Sequence, residues 1–271
     1  MQVAFQGEPG AYSEQAAYGY FGEVETLPSE SFDAVFAAVT SGESDFGLIP
    51  IENSLAGSIH QNYDLLLRHE LQIVGEYFLR VRHCLIVLPG VEKGEICKVI
   101  SHPQALGQCA GYLRGLSVKT EPVYDTAGSV KILKASGERT MAAIASKRAA
   151  EIYAMEILEE GIEDNLENYT RFLVIANQPV VPETEAKTSI VFTLKNQPGA
   201  LFKAMSVFAL RDIDLTKIES RPLAGKPWEY LFYIDFIGAI QDATIQKALS
   251  HLDEYALMLR VLGSYPRFKA G

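Results

Sequence analysis

Five short segments of the sequence gather hydroxyl, amide, carboxylate and guanidinium groups where the chain turns. They are Gln6-Gly-Glu-Pro-Gly-Ala-Tyr-Ser13, Pro50-Ile-Glu-Asn-Ser-Leu-Ala-Gly-Ser58, Ser101-His-Pro-Gln-Ala-Leu-Gly-Gln108, Asp125-Thr-Ala-Gly-Ser129 and Asn168-Tyr-Thr-Arg-Phe172. Ser13 reads as a helix cap. Asn53 and Ser54 offer donors beside the carboxylate of Glu52. Helices begin near Ser101 and His102 and again near Thr126, and the unpaired N–H groups of a helix start favour an anion. Gln104 and Gln108, four apart, share a helix face. Alternation places Thr170 and Phe172 on one side of a strand and Arg171 on the other. Arg171 is a planar cation suited to a carboxylate. Each segment alone reads as an ordinary turn, cap or strand end. Their common place at strand ends, where open α/β sheets bind ligands, favours a functional reading of the group.

Other chemistries leave no trace. No G-x-G-x-x-G follows a strand, and there is no Walker loop or G-x-S-x-G elbow. His60, His69, His83, His102 and His251 show no metal-ligand spacing, and His83 and Cys84 would face opposite sides of a strand. No metal and no cofactor are expected. The net charge of -10 disfavours nucleic acid and anionic membranes as partners, since both need clustered Lys and Arg. If the substrate is an anion, it must be held by local donors rather than by the overall field. Cys84, Cys97 and Cys109 are odd in number and form no C-x-x-C pair, which fits free thiols in a reducing compartment. The first residues lack a basic leader and no run is long enough for a membrane span, so the cytoplasm is the expected location.

The elements that must position these groups follow from periodicity. Strands are expected at Val3–Phe5, Phe46–Ile51, Leu71–Val81, Cys84–Leu88, Lys98–Ser101, Ser117–Val123, Met141–Ala145 and Arg171–Ala176. Helices are expected at Ser13–Phe21, Ser31–Ser41, Pro103–Gly115, Gly128–Ser136 and Lys147–Tyr153. This alternation implies an α/β architecture with mainly parallel sheets. Residues Asn177–Lys187, with two prolines and no period, read as a linker. After it come a strand at Thr188–Leu194, a helix at Ala200–Leu210, strands at Leu215–Glu219 and Tyr230–Phe236, a helix at Ala243–His251 and a strand at Ala256–Leu262. That order, β-α-β-β-α-β, is ferredoxin-like, with one antiparallel sheet and both helices on one face.

Taken together, the polar segments resemble the prephenate dehydratase family over essentially the whole chain, with Thr170-Arg171-Phe172 the most distinctive string. The C-terminal part resembles an ACT domain, with Gly199-Ala-Leu-Phe202 and Glu219-Ser-Arg-Pro222 matching its two phenylalanine-binding motifs. Phe202 stands where an aliphatic residue is more usual. The resemblance implies a catalytic domain over residues 1–180, two-lobed like a periplasmic binding protein with the active site in the cleft, and an ACT regulatory domain over residues 187–271. It implies a monofunctional lyase that converts prephenate to phenylpyruvate in phenylalanine biosynthesis, under allosteric feedback control by L-phenylalanine. It also implies a homodimer or homotetramer paired through the ACT domains. Catalytic roles fall on Thr170, Arg171, Asn53, Ser101, Gln108 and Glu52, and substrate contacts on Ser13, Ser54, His102, Thr126, Ala127 and Phe172. Thr170 is the implied proton donor, although a threonine hydroxyl is a very weak acid, and Glu52 and His102 are the titratable alternatives. The effector site falls on Gly199, Ala200, Leu201, Phe202, Glu219, Ser220, Arg221 and Pro222. An arogenate dehydratase and a non-catalytic aromatic amino-acid sensor are the competing readings.

Overall fold

The computed structural model describes residues 1–183, 185–223, 225–226 and 228–269. Thr184, inside the expected linker, lies outside them. Two compact units result. The first holds Met1–Arg68 and Tyr77–Leu173, and the second His69–Glu76 and the chain from Val174 onward.

The first unit opens with β1 (Gln2–Gln6), α1 (Tyr12–Phe21), β2 (Glu25–Ser29), α2 (Phe32–Ser41), β3 (Phe46–Asn53), β4 (Gly57–Ser58) and α3 (His60–Arg68). Strand β5 (Gln72–Arg80) begins in the second unit and ends in the first. There follow β6 (Cys84–Val87), β7 (Lys98–Ser101), α4 (Pro103–Gln108), α5 (Ala110–Leu116), β8 (Lys119–Pro122), α6 (Thr126–Ser136), β9 (Met141–Ala145), α7 (Lys147–Tyr153) and β10 (Glu156–Glu160). Strand β11 (Tyr169–Ala176) carries the chain into the second unit. There it forms β12 (Ala186–Leu194), α8 (Ala200–Ala209), β13 (Leu215–Pro222), β14 (Tyr230–Ile237), α9 (Ala243–Tyr255) and β15 (Ala256–Pro266).

One sheet has the order β2-β1-β3-β11-β5, with β4 added beside β3, and a second has the order β10-β6-β9-β7-β8. These sheets are the cores of the two lobes, the periplasmic-binding-protein-like arrangement. Strand β1 runs parallel to β2 and β3, and β7 to β8 and β9. Strand β6 runs antiparallel to β9 and β10. The sheets are thus more mixed than the expected mainly parallel pattern. The link from β6 to β7 carries one short helical turn, Lys93–Glu95, and no crossover helix. Without a crossover the chain returns in the opposite direction, so β6 and β7, on either side of β9, run antiparallel to each other.

The second sheet explains its own sequence. Cys84, Ile86, Ile100, Met141, Ala143 and Ala145 pack with α6 and α7 on one face. Leu85, Val87, Val99, Ala142 and Ile144 pack with α4 and α5 on the other. A strand buried on both faces loses the polar alternation and reads as a continuous apolar run. The single helix expected over Pro103–Gly115 is two helices, broken at Cys109 (φ -113°, ψ 18°). The Asp164 carboxylate accepts the Gly111 N–H at 2.8 Å and the Tyr112 N–H at 3.3 Å, and so caps the second of them. Strands β2 and β10 and helix α3 escape the sequence pattern; Pro28 interrupts β2 and acidic residues dominate β10.

In the second unit the sheet order β13-β14-β12-β15 is antiparallel throughout. Ile190, Phe192, Ile234 and Phe236 pack against Ala204, Val207 and Phe208 of α8 and Ile245, Ala248 and Leu252 of α9. Both helices therefore cover one face, the ferredoxin-like α+β fold. Among the described residues no helix is long and apolar enough to cross a membrane.

Candidate active site

Strand ends and helix starts of the first unit enclose a cavity of about 540 Å³. From β1 and the loop after it come Gln6 and Gly7; from the start of α1, Tyr12 and Ser13; from β3, Pro50 and Asn53; from the approach to β6, His83; from α4 and its cap, His102, Gln104 and Gln108; from the start of α6, Asp125 and Thr126; from β11, Thr170 and Phe172. The loop after β1 can lie this close only because of Gly10. Its φ is +92°, and an added Cβ would meet Ala149 Cα at 2.6 Å.

The amide groups of the cavity form a directed chain, and two backbone groups set its direction. The N–H groups of Leu55 and Ala56 lie 3.1 and 3.0 Å from Asn53 Oδ1. A backbone N–H can only donate, so that atom is the oxygen and Nδ2 is the donor. Asn53 Nδ2 donates to Asn168 Oδ1 at 2.9 Å and to Thr170 Oγ1 at 3.0 Å. Asn168 Nδ2 in turn donates to Gln108 Oε1 at 3.1 Å. Thr170 Oγ1 is thereby an acceptor on its inner side, and its own hydroxyl hydrogen is free to turn to the cavity. Gln108 Nε2 has no protein partner among the described residues, so its two hydrogens also belong to the cavity.

Among the described residues no lysine or arginine lines this space; its acidic members are Glu30 and Asp125. The groups left to meet an anion are neutral side-chain donors and the backbone N–H groups of helix starts. Helix α6 is capped by Asp125, whose carboxylate accepts the Gly128 N–H at 2.5 Å. Helix α1 has Ala11 at its cap, which offers no side-chain acceptor, and Ala11, Tyr12 and Ser13 all face the cavity. Burial pushes the Asp125 carboxyl above its ordinary range, opposed by hydrogen bonds from backbone N–H groups. Burial also lowers the proton affinity of His83, opposed by its hydrogen bond to Gln108 and the charge of Glu163.

Of the residues singled out from sequence, Asn53, Gln108, Thr170, Ser13, His102, Thr126 and Phe172 line the cavity. Glu52, Ser54, Ser101, Ala127 and Arg171 are not among the lining residues. Ser101 is fully buried and its hydroxyl donates to the Ile144 carbonyl at 2.6 Å. Ser54 donates to the Glu167 carbonyl at 2.7 Å and accepts the Tyr169 N–H at 2.9 Å, tying the turn after β3 to β11. Arg171 lies on the opposite side of β11 from Thr170, buried, with its guanidinium 5.9 Å from the Phe78 ring centre. Tyr12, His83, Gln61 and Tyr124 also face the cavity and were not singled out. For His83 the only sequence signal was negative, a poor metal ligand beside Cys84. Among the described residues no cluster of three or more metal-ligating side chains occurs.

A family profile described as prephenate dehydratase matches residues 3–180. The chain belongs to the prephenate dehydratase family. An ACT domain profile matches residues 188–253. As a family member the chain is a lyase of the dehydratase type, and its C-terminal fold is that of the ACT domain. "Arogenate dehydratase/prephenate dehydratase 1, chloroplastic" of Arabidopsis thaliana is 49% identical over 98% of this chain and 72% of its own. A solved structure described as "GqqA- a novel type of quorum quenching acylases" superposes with a TM-score of 0.92 at 34% identity, over 98% of each chain. The prephenate dehydratase of Arthrobacter aurescens in complex with L-Phe superposes with a TM-score of 0.91 at 30% identity, over 98% of this chain and 90% of that one.

In the ACT part, Gly199 caps α8 with φ +80°. Ala200 and Leu201 line a cavity of about 130 Å³ with Trp228, Tyr230 and Phe232. Phe202 is 77% exposed. Glu219, Ser220, Arg221 and Pro222 lie on β13 and are not among the residues lining this cavity.

Proposed function

We propose that the protein catalyses the decarboxylating dehydration of prephenate to phenylpyruvate, with L-phenylalanine as effector at the ACT domain. Prephenate loses CO2 from its quaternary carbon while the electron pair of that C–C bond moves into the ring. The ring hydroxyl leaves from the opposite position, takes up a proton and departs as water, and the ring becomes aromatic. Aromatisation supplies the drive, so the protein must hold the dianion and ease the departure of hydroxide.

The observation that carries this reading is the directed amide chain ending at Thr170. With its inner side occupied by Asn53, the Thr170 hydroxyl can donate to the departing oxygen, and this role asks for a hydrogen-bond donor rather than a free acid. Gln108 presents a second donor. The start of α1, where no side chain takes the first N–H groups, is the place for a substrate carboxylate. Arg171 braces β11 from its far side, and Ser101 and Ser54 hold the frame rather than the substrate.

Arogenate, which carries an ammonium group where prephenate has a keto group, is the second reading. It is favoured by the two carboxyl groups in a cavity without lysine or arginine, and by the double name of the Arabidopsis relative. The three cysteines, two of them buried and none bridged, agree with a reducing compartment, and the cytoplasm is the location this reading carries. Leu201, Phe202, Ile218 and Leu257 are exposed apolar side chains of the second unit, which supports pairing of copies through the ACT domains as a homodimer or homotetramer.

Incubation with prephenate, with phenylpyruvate followed by its absorbance in alkali, tests the proposal. Formation that L-phenylalanine alters supports both assignments, and formation it leaves alone removes the effector. Conversion of arogenate alone moves the substrate. Silence on both substrates sinks the enzyme reading.

A further inference from the structure

The chain of amides does not end at Gln108. Its Oε1 lies 2.9 Å from His83 Nε2, and His83 Nδ1 lies 2.8 Å from the Tyr12 hydroxyl. Gln108 Oε1 already accepts from Asn168, and that assignment traces back to the backbone N–H groups of Leu55 and Ala56. An oxygen can only accept here, so His83 Nε2 must carry a hydrogen. His83 is 2% exposed and burial disfavours its charged form, so with Nε2 protonated Nδ1 is a lone pair, and the single Tyr12 hydroxyl hydrogen is shared between it and the Arg82 carbonyl, 2.9 Å from the same oxygen. The Tyr12 ring meets the imidazole edge-on at 5.5 Å. The His83 backbone N–H donates to Glu163 Oε2 at 2.9 Å, which holds the residue in place from behind.

We propose that His83 is a positioning residue for the reaction. Its Nε2–H grips the Gln108 carbonyl so that the Gln108 amide nitrogen faces the substrate, and the Tyr12 ring, packed edge-on, fixes the orientation of the imidazole. The proposal rests on the dehydratase reading of the cavity. Without His83, the Gln108 carboxamide is held by Asn168 alone. Rotation about its last bond would then turn a carbonyl oxygen toward the substrate, where an oxyanion or carboxylate repels it.

Two measurements test this, and the first needs no turnover. Histidine nitrogen NMR of the full chain at neutral pH should show His83 neutral with hydrogen on Nε2. A hydrogen on Nδ1 alone would overturn the proposal. The second is a double-mutant cycle on kcat/KM with prephenate and arogenate, using His83→Phe, Gln108→Ala and the pair. His83→Phe keeps a ring in the space and removes the donor, and should lower kcat/KM roughly 10-fold. In the Gln108→Ala background it should cost almost nothing more, because the group it positions is gone. His83→Gln, which places an amide N–H near the Nε2 position, should recover most of the loss. Additive losses, or a His83→Gln variant as poor as His83→Phe, would mean that His83 only fills space. If the unaltered chain turns over neither substrate, the dehydratase reading fails, while the NMR result still decides the tautomer.

Discussion

Thr170 Oγ1 lies 3.0 Å from Asn53 Nδ2 and accepts its hydrogen, which leaves the Thr170 proton for the cavity. The relationship joins residues 117 positions apart and depends on the Asn53 amide pointing one way. An aspartate at position 53 would still accept the Leu55 and Ala56 N–H groups but could not donate to Thr170. Asn53→Asp should therefore lower kcat by roughly 100-fold, the lower end of what losing one positioned hydrogen-bond donor costs. Steady-state kinetics with prephenate, beside a circular dichroism check of the fold, tests this. An undiminished kcat would show that the orientation of Thr170 does not matter.

His83 also predicts a pH effect on stability. Its ordinary pKa is 6.5 and burial lowers it in the folded chain. Between the two values the unfolded chain binds more protons, so stability rises with pH through that window. The contribution is complete above about pH 6.5 and is lost as pH falls through the folded pKa. Denaturant unfolding from about pH 7.5 to about pH 5 should show a steeper loss of stability for the wild type than for His83→Gln. Parallel curves would mean that His83 titrates alike in both states.

In the second unit, Lys187 Nζ lies 2.8 Å from Glu76 Oε1 and 2.8 Å from Oε2, with both side chains almost fully buried. Glu76 Oε1 also accepts the Phe268 N–H at 3.1 Å. Lys187→Met takes away the cation nearest a buried carboxylate, so it should destabilise by about 3 kcal/mol. Lys187→Met combined with Glu76→Leu should cost clearly less, since the buried carboxylate is removed together with its cation. Equal losses for the single and double variants in urea unfolding would contradict this account.

The three thiols should differ in reactivity. Burial pushes the Cys84 thiol up to about 12 and raises Cys109 as well, while Cys97 is exposed. A thiolate-specific reagent at neutral pH should titrate one cysteine quickly in the native protein and all three after denaturation. Two fast native thiols would place Cys84 or Cys109 nearer to solvent than the structure does.

Much of this protein was legible from neighbouring residues alone. The apolar runs at Lys98–Ser101 and Met141–Ala145 became β7 and β9 with the expected bounds, because a strand buried on both faces needs little beyond its own composition. The side-chain period of two put Thr170 and Phe172 on the cavity side of β11 and Arg171 behind it. The β-α-β-β-α-β order of the C-terminal part was readable for the same reason, since each element shows its period within a dozen residues. Tertiary structure decided the partners. It turned the Ser101 hydroxyl to Ile144, broke the helix at Cys109 with a carboxylate from residue 164, and brought Tyr12 to His83 and His83 to Gln108. A hydrogen bond between distant positions exists only once packing has closed the chain between them, and no local period records it.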